Sequence, residues 1–281
     1  MSKILFVSSE AFPLIKTGGL GDVAGSLPPA LQKLSEDNRV LLPAYPQVLE
    51  KLKHKKVIAH IVHHGIPADI IESRLPGSKV PLLLIDCPEL FNRSGGPYVD
   101  SQGQPWHDNA MRFAYLCYAA VDIGLGKLSI NWQPDLIHCH DWQTGLIPAL
   151  LSLTKKRPAT LFTIHNLAYQ GVFDYQTFKY LGLPDELWQM QGIEFYGQLS
   201  FMKGGLAFAD QINAVSPSYA KEILQPANGY GMDGLLEHRS NVLSGILNGI
   251  DTKYWNPGTD SLITHKYNRR SLSDKTKNKT A

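Results

Sequence analysis

The segment Lys16-Thr17-Gly18-Gly19-Leu20-Gly21-Asp22-Val23-Ala24 carries the residue types that most directly suggest chemistry. Glycines placed after a first strand let backbone N–H groups approach an anion closely. A helix that starts there adds its positive N-terminal end. Lys16 adds a mobile full charge on the same side. The combination suits a phosphate or pyrophosphate, although glycines needed only for a close-packed turn would read the same way. The stretch formally matches G-x-G-x-x-A, a pattern that is weak alone. A dinucleotide site also wants an acid after the second strand, for the ribose. The residues there are Leu42-Pro43-Ala44-Tyr45, and no GxxxxGK[ST] loop occurs anywhere.

Three further polar groups close apolar runs. His138-Cys139-His140-Asp141-Trp142 puts both histidines on one face of a strand. Imidazole and carboxylate at that spacing could hold a metal. Alternatively, Asp141 is placed to cap a helix starting at Trp142. His165-Asn166 follows the next apolar run, and Asn248-Gly249-Ile250-Asp251 makes a fourth group, though Asn-Gly is also a plain turn signal. No GxSxG elbow is present.

These groups need a scaffold that brings strand ends together. Residues 4–7 read as a buried parallel strand, 22–34 as a helix and 39–42 as a second strand. Residues 57–63, 69–75 and 79–85 read as short strands, with a hairpin around Gly65-Ile66-Pro67. Residues 92–104 form a polar, glycine-rich loop and 109–125 a helix. Alternation then continues, with strands at 135–139, 160–164, 212–215 and 242–247. Helices are expected at 142–153 and 198–208, with another opening at Ser216-Pro217. Strand followed by glycine loop, helix and strand begins a doubly wound α/β fold, a mostly parallel sheet with helices on both faces. The tail from 264 reads as a solvated helix or a frayed terminus.

Composition narrows the class. With 43% hydrophobic and 19% charged residues, the chain can bury a sizeable core. Lys+Arg 27 against Asp+Glu 25 leaves +2, too balanced for a general nucleic-acid or membrane surface. Cys87, Cys117 and Cys139 are scattered and odd in number, which argues against a disulfide framework. No secretory signal is visible, and no run reaches the roughly 18 apolar residues of a membrane helix. A cytoplasmic location is the expectation.

Taken together, Lys16-Thr17-Gly18-Gly19-Leu20-Gly21-Asp22-Val23, His138-x-His140-Asp141-Trp142, His165-Asn166-Leu167-Ala168-Tyr169-Gln170-Gly171, Ala214-Val215-Ser216-Pro217-Ser218-Tyr219-Ala220 and Leu247-Asn248-Gly249-Ile250-Asp251 closely resemble the bacterial glycogen synthase and plant starch synthase family. The order and spacing of the five motifs agree, and the resemblance runs over nearly the whole chain. It implies the GT-B architecture, two Rossmann-like domains facing across a cleft. It also implies transfer of glucose from ADP-glucose to the non-reducing end of an α-1,4-glucan, with retention and with no metal or other cofactor. The chain resembles the N-terminal half: 1–255 as the Rossmann-like domain, and 256–281 as the crossover toward a C-terminal nucleotide-binding domain that is missing here. That second domain would be a needed partner, and the chain alone would be inactive or act as a glucan- or nucleotide-sugar-binding module.

By position, the resemblance puts Lys16, Gly18 and Gly19 at the donor phosphates, and His165 near the anomeric carbon. Asp141, Asn166 and Asn248 fall at sugar hydroxyls, with His165 and Asp141 as the catalytic pair and Asn166 and Asn248 on the donor. Asp22 and Tyr98 lie toward the acceptor.

Overall fold

The computed structural model describes residues 1–252 and 254–280. They form two compact units, Met1–Ile246 and Leu247–Ala281.

The first unit is built on a nine-stranded sheet. Its strands are β1 (Lys3–Val7), β2 (Asp37–Pro43), β3 (Lys56–His63), β4 (Ile66–Arg74), β5 (Pro81–Asp86), β6 (Leu136–His140), β7 (Ala159–Ile164), β11 (Gln211–Ala214) and β12 (Leu243–Gly245). The order is β12-β11-β7-β6-β1-β2-β5-β4-β3. All neighbours from β12 to β5 are parallel, and β4 and β3 close one edge as antiparallel strands. A smaller antiparallel sheet joins β8 (Val172–Phe173), β9 (Glu194–Phe195) and β10 (Gln198–Ser200). The helices are α1 (Gly19–Lys33), α2 (Pro46–Glu50), α3 (Pro88–Phe91), α4 (Asn109–Gly124), α5 (Leu146–Ser152), α6 (Tyr175–Tyr180), α7 (Phe201–Phe208), α8 (Pro217–Glu222), α9 (Pro226–Gly229) and α10 (Asp233–His238).

The central strands are apolar on both faces because both faces are covered. Leu5, Phe6, Val7, Val40, Leu41, Leu42, Ile137, Cys139, Phe162 and Ile164 are all buried. From β1 the chain steps outward to β2 and then to β3 at the far edge, comes back through β4 and β5, and lays β6 on the opposite side of β1. The crevice at the C-terminal ends of β1 and β6 is therefore a topological switch point, where open α/β sheets receive ligands.

The expected strands are present, and the hairpin forms through His64-Gly65, both at positive φ (54° and 75°) as a two-residue turn requires. Three helices differ from expectation. The first begins at Gly19, three residues early. The one expected over 142–153 divides into a 3₁₀ turn, Trp142–Thr144, and α5. Gly145 sits at the division, and a Cβ there would lie 1.9 Å from the Phe201 carbonyl oxygen. The one expected over 198–208 gives Gln198–Ser200 to β10, because Gly197 (φ 78°) turns the β9–β10 hairpin and Ser200 Oγ then caps α7 by accepting from Lys203 N.

α4 is buried on nearly every face. Even Arg112 is fully enclosed, donating to the carbonyls of Leu90 (2.8 Å) and Pro97 (2.7 Å) and to Asn109 Oδ1 (2.7 Å). Asn109 Nδ2 donates to the Tyr98 carbonyl at 2.9 Å. These bonds fix the 92–104 loop and with it Tyr98.

The second unit holds α11 (Ser273–Thr280), which buries no residue. Asn278 pins it, accepting from His265 N at 2.9 Å and donating to the His265 carbonyl at 2.7 Å. Asn248 lies exposed in this unit. Among the described residues no helix is long and apolar enough to cross a membrane.

Candidate active site at the strand ends

Three neighbouring strands, β1, β6 and β7, deliver the polar groups. Past the end of β1, Glu10 is buried (2% exposed). Its carboxyl group accepts from Thr17 N, from Thr17 Oγ1 at 2.6 Å and from Gly18 N at 3.3 Å. Tyr98 Oη donates to it at 2.5 Å and bonds Ser9 Oγ at 2.8 Å. Burial, with Glu10 close by, pushes the Tyr98 phenol well above its usual range, so it stays a donor. Glu10 is thus the internal anchor of the Lys16–Gly18 loop. Sequence reading missed it. The available signal was an acid placed directly after the first apolar strand.

Gly18 and Gly19 are exposed, and a Cβ on either would meet nothing within 4 Å. They leave open approach to the start of α1. Gly21 and Gly25 are the packing glycines: a Cβ would fall 3.1 Å from Lys16 Cβ in the first case and 2.2 Å from the Phe12 carbonyl oxygen in the second. Lys16 Nζ reaches both oxygens of Asp22, at 2.8 and 2.7 Å. The two are partners across the first turn of α1.

At the end of β6, Asp141 takes φ 55° and ψ −176°, a region almost reserved for glycine and costing about 1–3 kcal/mol. The expected cap is not formed. The Asp141 side chain makes no bond to the Trp142–Thr144 turn, which Thr144 Oγ1 closes by donating to the Asp141 carbonyl at 3.1 Å. The strained backbone turns Oδ1 sideways instead, to accept from His165 N at 2.7 Å and Asn166 N at 3.2 Å. Asp141 therefore anchors the loop after β7, and its Oδ2 has no hydrogen-bond partner among the described residues. Burial raises its carboxyl to about 7, and nearby Glu10 adds to the shift against the two amide bonds.

The three histidines are linked. His138 Nε2 bonds Thr163 Oγ1 at 2.7 Å, and His140 Nδ1 lies 2.9 Å from His165 Nε2. The His140 ring stacks on Phe6, centroids 4.0 Å apart. Burial lowers His165 to about 4, His138 to about 3 and His140 well below the ordinary imidazole value. All three are neutral near pH 7. Among the described residues, no three His, Cys, Asp or Glu side chains converge as a metal site. Beyond β7, Leu167 N donates to Tyr219 Oη at 2.9 Å, and Ser216 Oγ caps α8 by accepting from Tyr219 N. The Ala214–Ala220 motif thereby braces the loop bearing His165 and Asn166. Asn166 is exposed, with Oδ1 accepting from Ala168 N at 3.0 Å.

Two surface grooves lie elsewhere, one of about 700 Å³ beside Glu194, Tyr196 and Lys203, another of about 930 Å³ beside Lys53, Lys55 and Lys56. The strand ends are marked by the strained backbone at Asp141 and by the shifted ionisation of Asp141 and His165.

A doubly wound domain with open glycines and a buried carboxyl–imidazole cluster at its switch point places the chain in the class of Rossmann-like α/β domains. Comparison with known proteins gives the family. The profile of the starch synthase catalytic domain matches residues 3–238, and the chain belongs to that family. It is 57% identical over 283 residues to a glycogen synthase of Cellvibrio japonicus, spanning 100% of this chain and 59% of that protein. It is 55% identical over 278 residues to glycogen synthase 1 of Methylococcus capsulatus, spanning 99% and 56%. The catalytic domain of starch synthase IV from Arabidopsis thaliana, bound to ADP and acarbose, superposes with a TM-score of 0.81 at 28% identity, over 99% of this chain and 58% of that one. The chain thus spans less than two thirds of the length of these relatives.

Proposed function

We propose that this chain forms the Rossmann-like half of a retaining glucosyltransferase that moves glucose from ADP-glucose to the non-reducing end of an α-1,4-glucan. The observation that carries the reading is the cluster at β1, β6 and β7, whose residues all lie within the span 3–238 that matches the family profile. The starch synthase neighbour binds ADP and acarbose, which supports a nucleotide and a glucan as ligands.

The chemistry fits the groups present. The leaving group is ADP, so negative charge grows on the pyrophosphate as the glycosidic bond breaks. Lys16 and the open start of α1 at Gly18 and Gly19 would stabilise that charge. Asp22 would release Lys16 to the phosphates as the donor enters. His165, neutral, would stand at the transferred glucose, with Asp141 Oδ2 and Asn166 Nδ2 for its hydroxyls. Tyr98, held behind Glu10, would border the acceptor side. No metal or other cofactor is needed for these roles. The reading also assigns a role to Asn248 at the donor, and to a second domain, C-terminal in the family, that supplies the nucleotide pocket and closes out water.

A second reading is a glucan- or nucleotide-sugar-binding module without catalysis. It is favoured by the open approach at Gly18 and Gly19, where a Cβ would meet nothing within 4 Å and a ligand could be held without reaction. Transfer of labelled glucose from ADP-glucose to glycogen by the purified 281-residue chain separates the two. Turnover lost in Lys16→Ala supports catalysis by this chain. Calorimetric binding of ADP-glucose or maltooligosaccharide without transfer supports the module. Neither transfer nor binding removes both.

A further inference from the structure

His140 has no role in the chemistry above, yet it is fully buried at the centre of the cluster. Its Nδ1 lies 2.9 Å from His165 Nε2, while its Nε2 is buried with no hydrogen-bond partner among the described residues. Two neutral imidazoles sharing one hydrogen bond have two possible arrangements. In the first, His165 Nε2–H donates to His140. The proton of His140 then sits on Nε2, where it is a buried N–H with nothing to receive it. In the second, His140 Nδ1–H donates to His165 Nε2. The buried, unpaired atom of His140 is then only a lone pair. Orphaned buried N–H groups are rarer in folded proteins than under-used acceptors, so the second arrangement wins.

We propose that His140 is a positioning residue that fixes His165 in the tautomer protonated on Nδ1, so that His165 presents an N–H donor, and not a basic lone pair, at the strand end. His165 Nδ1 makes no hydrogen bond to the described residues, and the side chain is only part-buried, so this donor faces solvent or a ligand. The neutral histidine side chain in water favours the opposite tautomer, protonated on Nε2, so the bond from His140 must select against the intrinsic preference. The stack on Phe6 and the neighbouring ring of His138, 4.1 Å away, hold the His140 ring in the orientation this needs. The consequence for the reaction is that His165 hydrogen-bonds a sugar oxygen and takes no proton. That suits a departing diphosphate, which leaves without an acid and whose oxygens can take the proton that the acceptor hydroxyl loses. This last step rests on the functional reading above; the tautomer does not.

The test is ¹⁵N NMR of the full chain labelled at histidine, because protonated and bare ring nitrogens resonate far apart. Wild type is expected to show His165 predominantly protonated on Nδ1. His140→Phe keeps the ring stack but removes the donor, and should shift His165 to the Nε2–H form. His140→Asn places an amide N–H where Nδ1–H stood and should restore the wild-type pattern. A wild-type His165 protonated on Nε2 overturns the proposal, as does a His140→Phe spectrum that keeps the Nδ1–H form. If His140→Phe does not fold, wild type and His140→Asn decide it by themselves, since loss of the Nδ1–H form in a folded His140→Asn chain also overturns it. Adding ADP-glucose should then move the His165 Nδ1 resonance. A fixed resonance with the expected tautomer counts against the glucosyltransferase reading alone.

Discussion

The two ends of the same parallel strands are built on opposite principles. At the N-terminal ends, bonded charges tie one strand start to the next. Arg157 grips Asp210 through two bonds, at 2.7 and 2.9 Å, and Asp210 also accepts from Thr160 N and Oγ1. Lys3 N donates to Asp135, and Trp132 Nε1 to Asp37, with Arg39 4.4 Å above the Trp132 ring. The bond from Arg157 leads the groups that hold Asp210 down at about 2. At the C-terminal ends the same residue types are shifted the other way. Asp141 rises to about 7 in a strained backbone, His165 falls to about 4, and a nitrogen of His140 is left unpaired. One end holds the sheet together. The other spends stability on preorganised groups, as ligand sites do.

The largest effect should follow from the residue that joins the two principles. Glu10 is buried yet fully bonded, and its bonds go to the loop. Glu10→Ala would leave Thr17 N, Gly18 N and Tyr98 Oη without their acceptor. A loss of about 4 kcal/mol is expected, together with loss of ADP-glucose binding. Urea denaturation and calorimetry check both. Stability lost with binding intact would mean that Glu10 belongs with the structural groups.

Asp141→Asn should act in the reverse direction. The carboxyl titrates near 7 in the folded chain and at the ordinary carboxylate value when unfolded. A raised value means its folded-state advantage is complete below about pH 4 and is lost as pH rises toward 7. The amide keeps an acceptor for His165 N and Asn166 N but never ionises. The variant should therefore match wild type near pH 4 and exceed it by on the order of 3 kcal/mol at pH 8. Parallel curves of Tm against pH would show that Asp141 is not strained by its charge.

Asp210→Ala tests the opposite end. Removing it leaves Arg157 and two groups of Thr160 unpaired, at a cost of about 2 kcal/mol after allowing for partial exposure. The depressed carboxyl contributes above the ordinary carboxylate value and loses its effect as pH falls toward about 2. The wild-type advantage should thus fade below pH 4, the mirror image of Asp141, while ligand affinity is unchanged. Weakened binding of ADP-glucose would blur the division between the ends.

What the sequence made legible follows distance along the chain. The apolar run of β1, the glycine loop and the polar groups ending β6 and β7 are local patterns, and their order gave the doubly wound sheet. Asp141 was legible as important but not in its manner. A helix cap is the local use of Asp before a turn, whereas the partner amides of His165 and Asn166 come from the next strand. Glu10 was missed for the same reason, since Tyr98 approaches it from across the fold. The Arg157–Asp210 pair joins two strand starts 53 residues apart and leaves no local trace. α4 was read as a helix from its periodicity, yet its burial all round, Arg112 included, depends on the loop wrapped over it.

The smallest stability effect is expected at Lys16, and its value lies in the contrast with its functional effect. The Lys16–Asp22 pair is exposed, 37% and 49% at the side chains, so its contribution to folding is about 0.5 kcal/mol or less. Lys16→Ala should leave Tm within a degree or two of wild type. The same ammonium aimed at a diphosphate would act on a dense negative charge with the start of α1 behind it, where electrostatic contacts count for more. ADP-glucose affinity should therefore fall about 10-fold or more, with the salt dependence of binding reduced. Lys16→Arg should recover part of the affinity. Unchanged affinity in Lys16→Ala would move Lys16 out of the C-terminal set and into the ordinary charged surface, leaving Gly18, Gly19 and the helix start as the whole of the anion site.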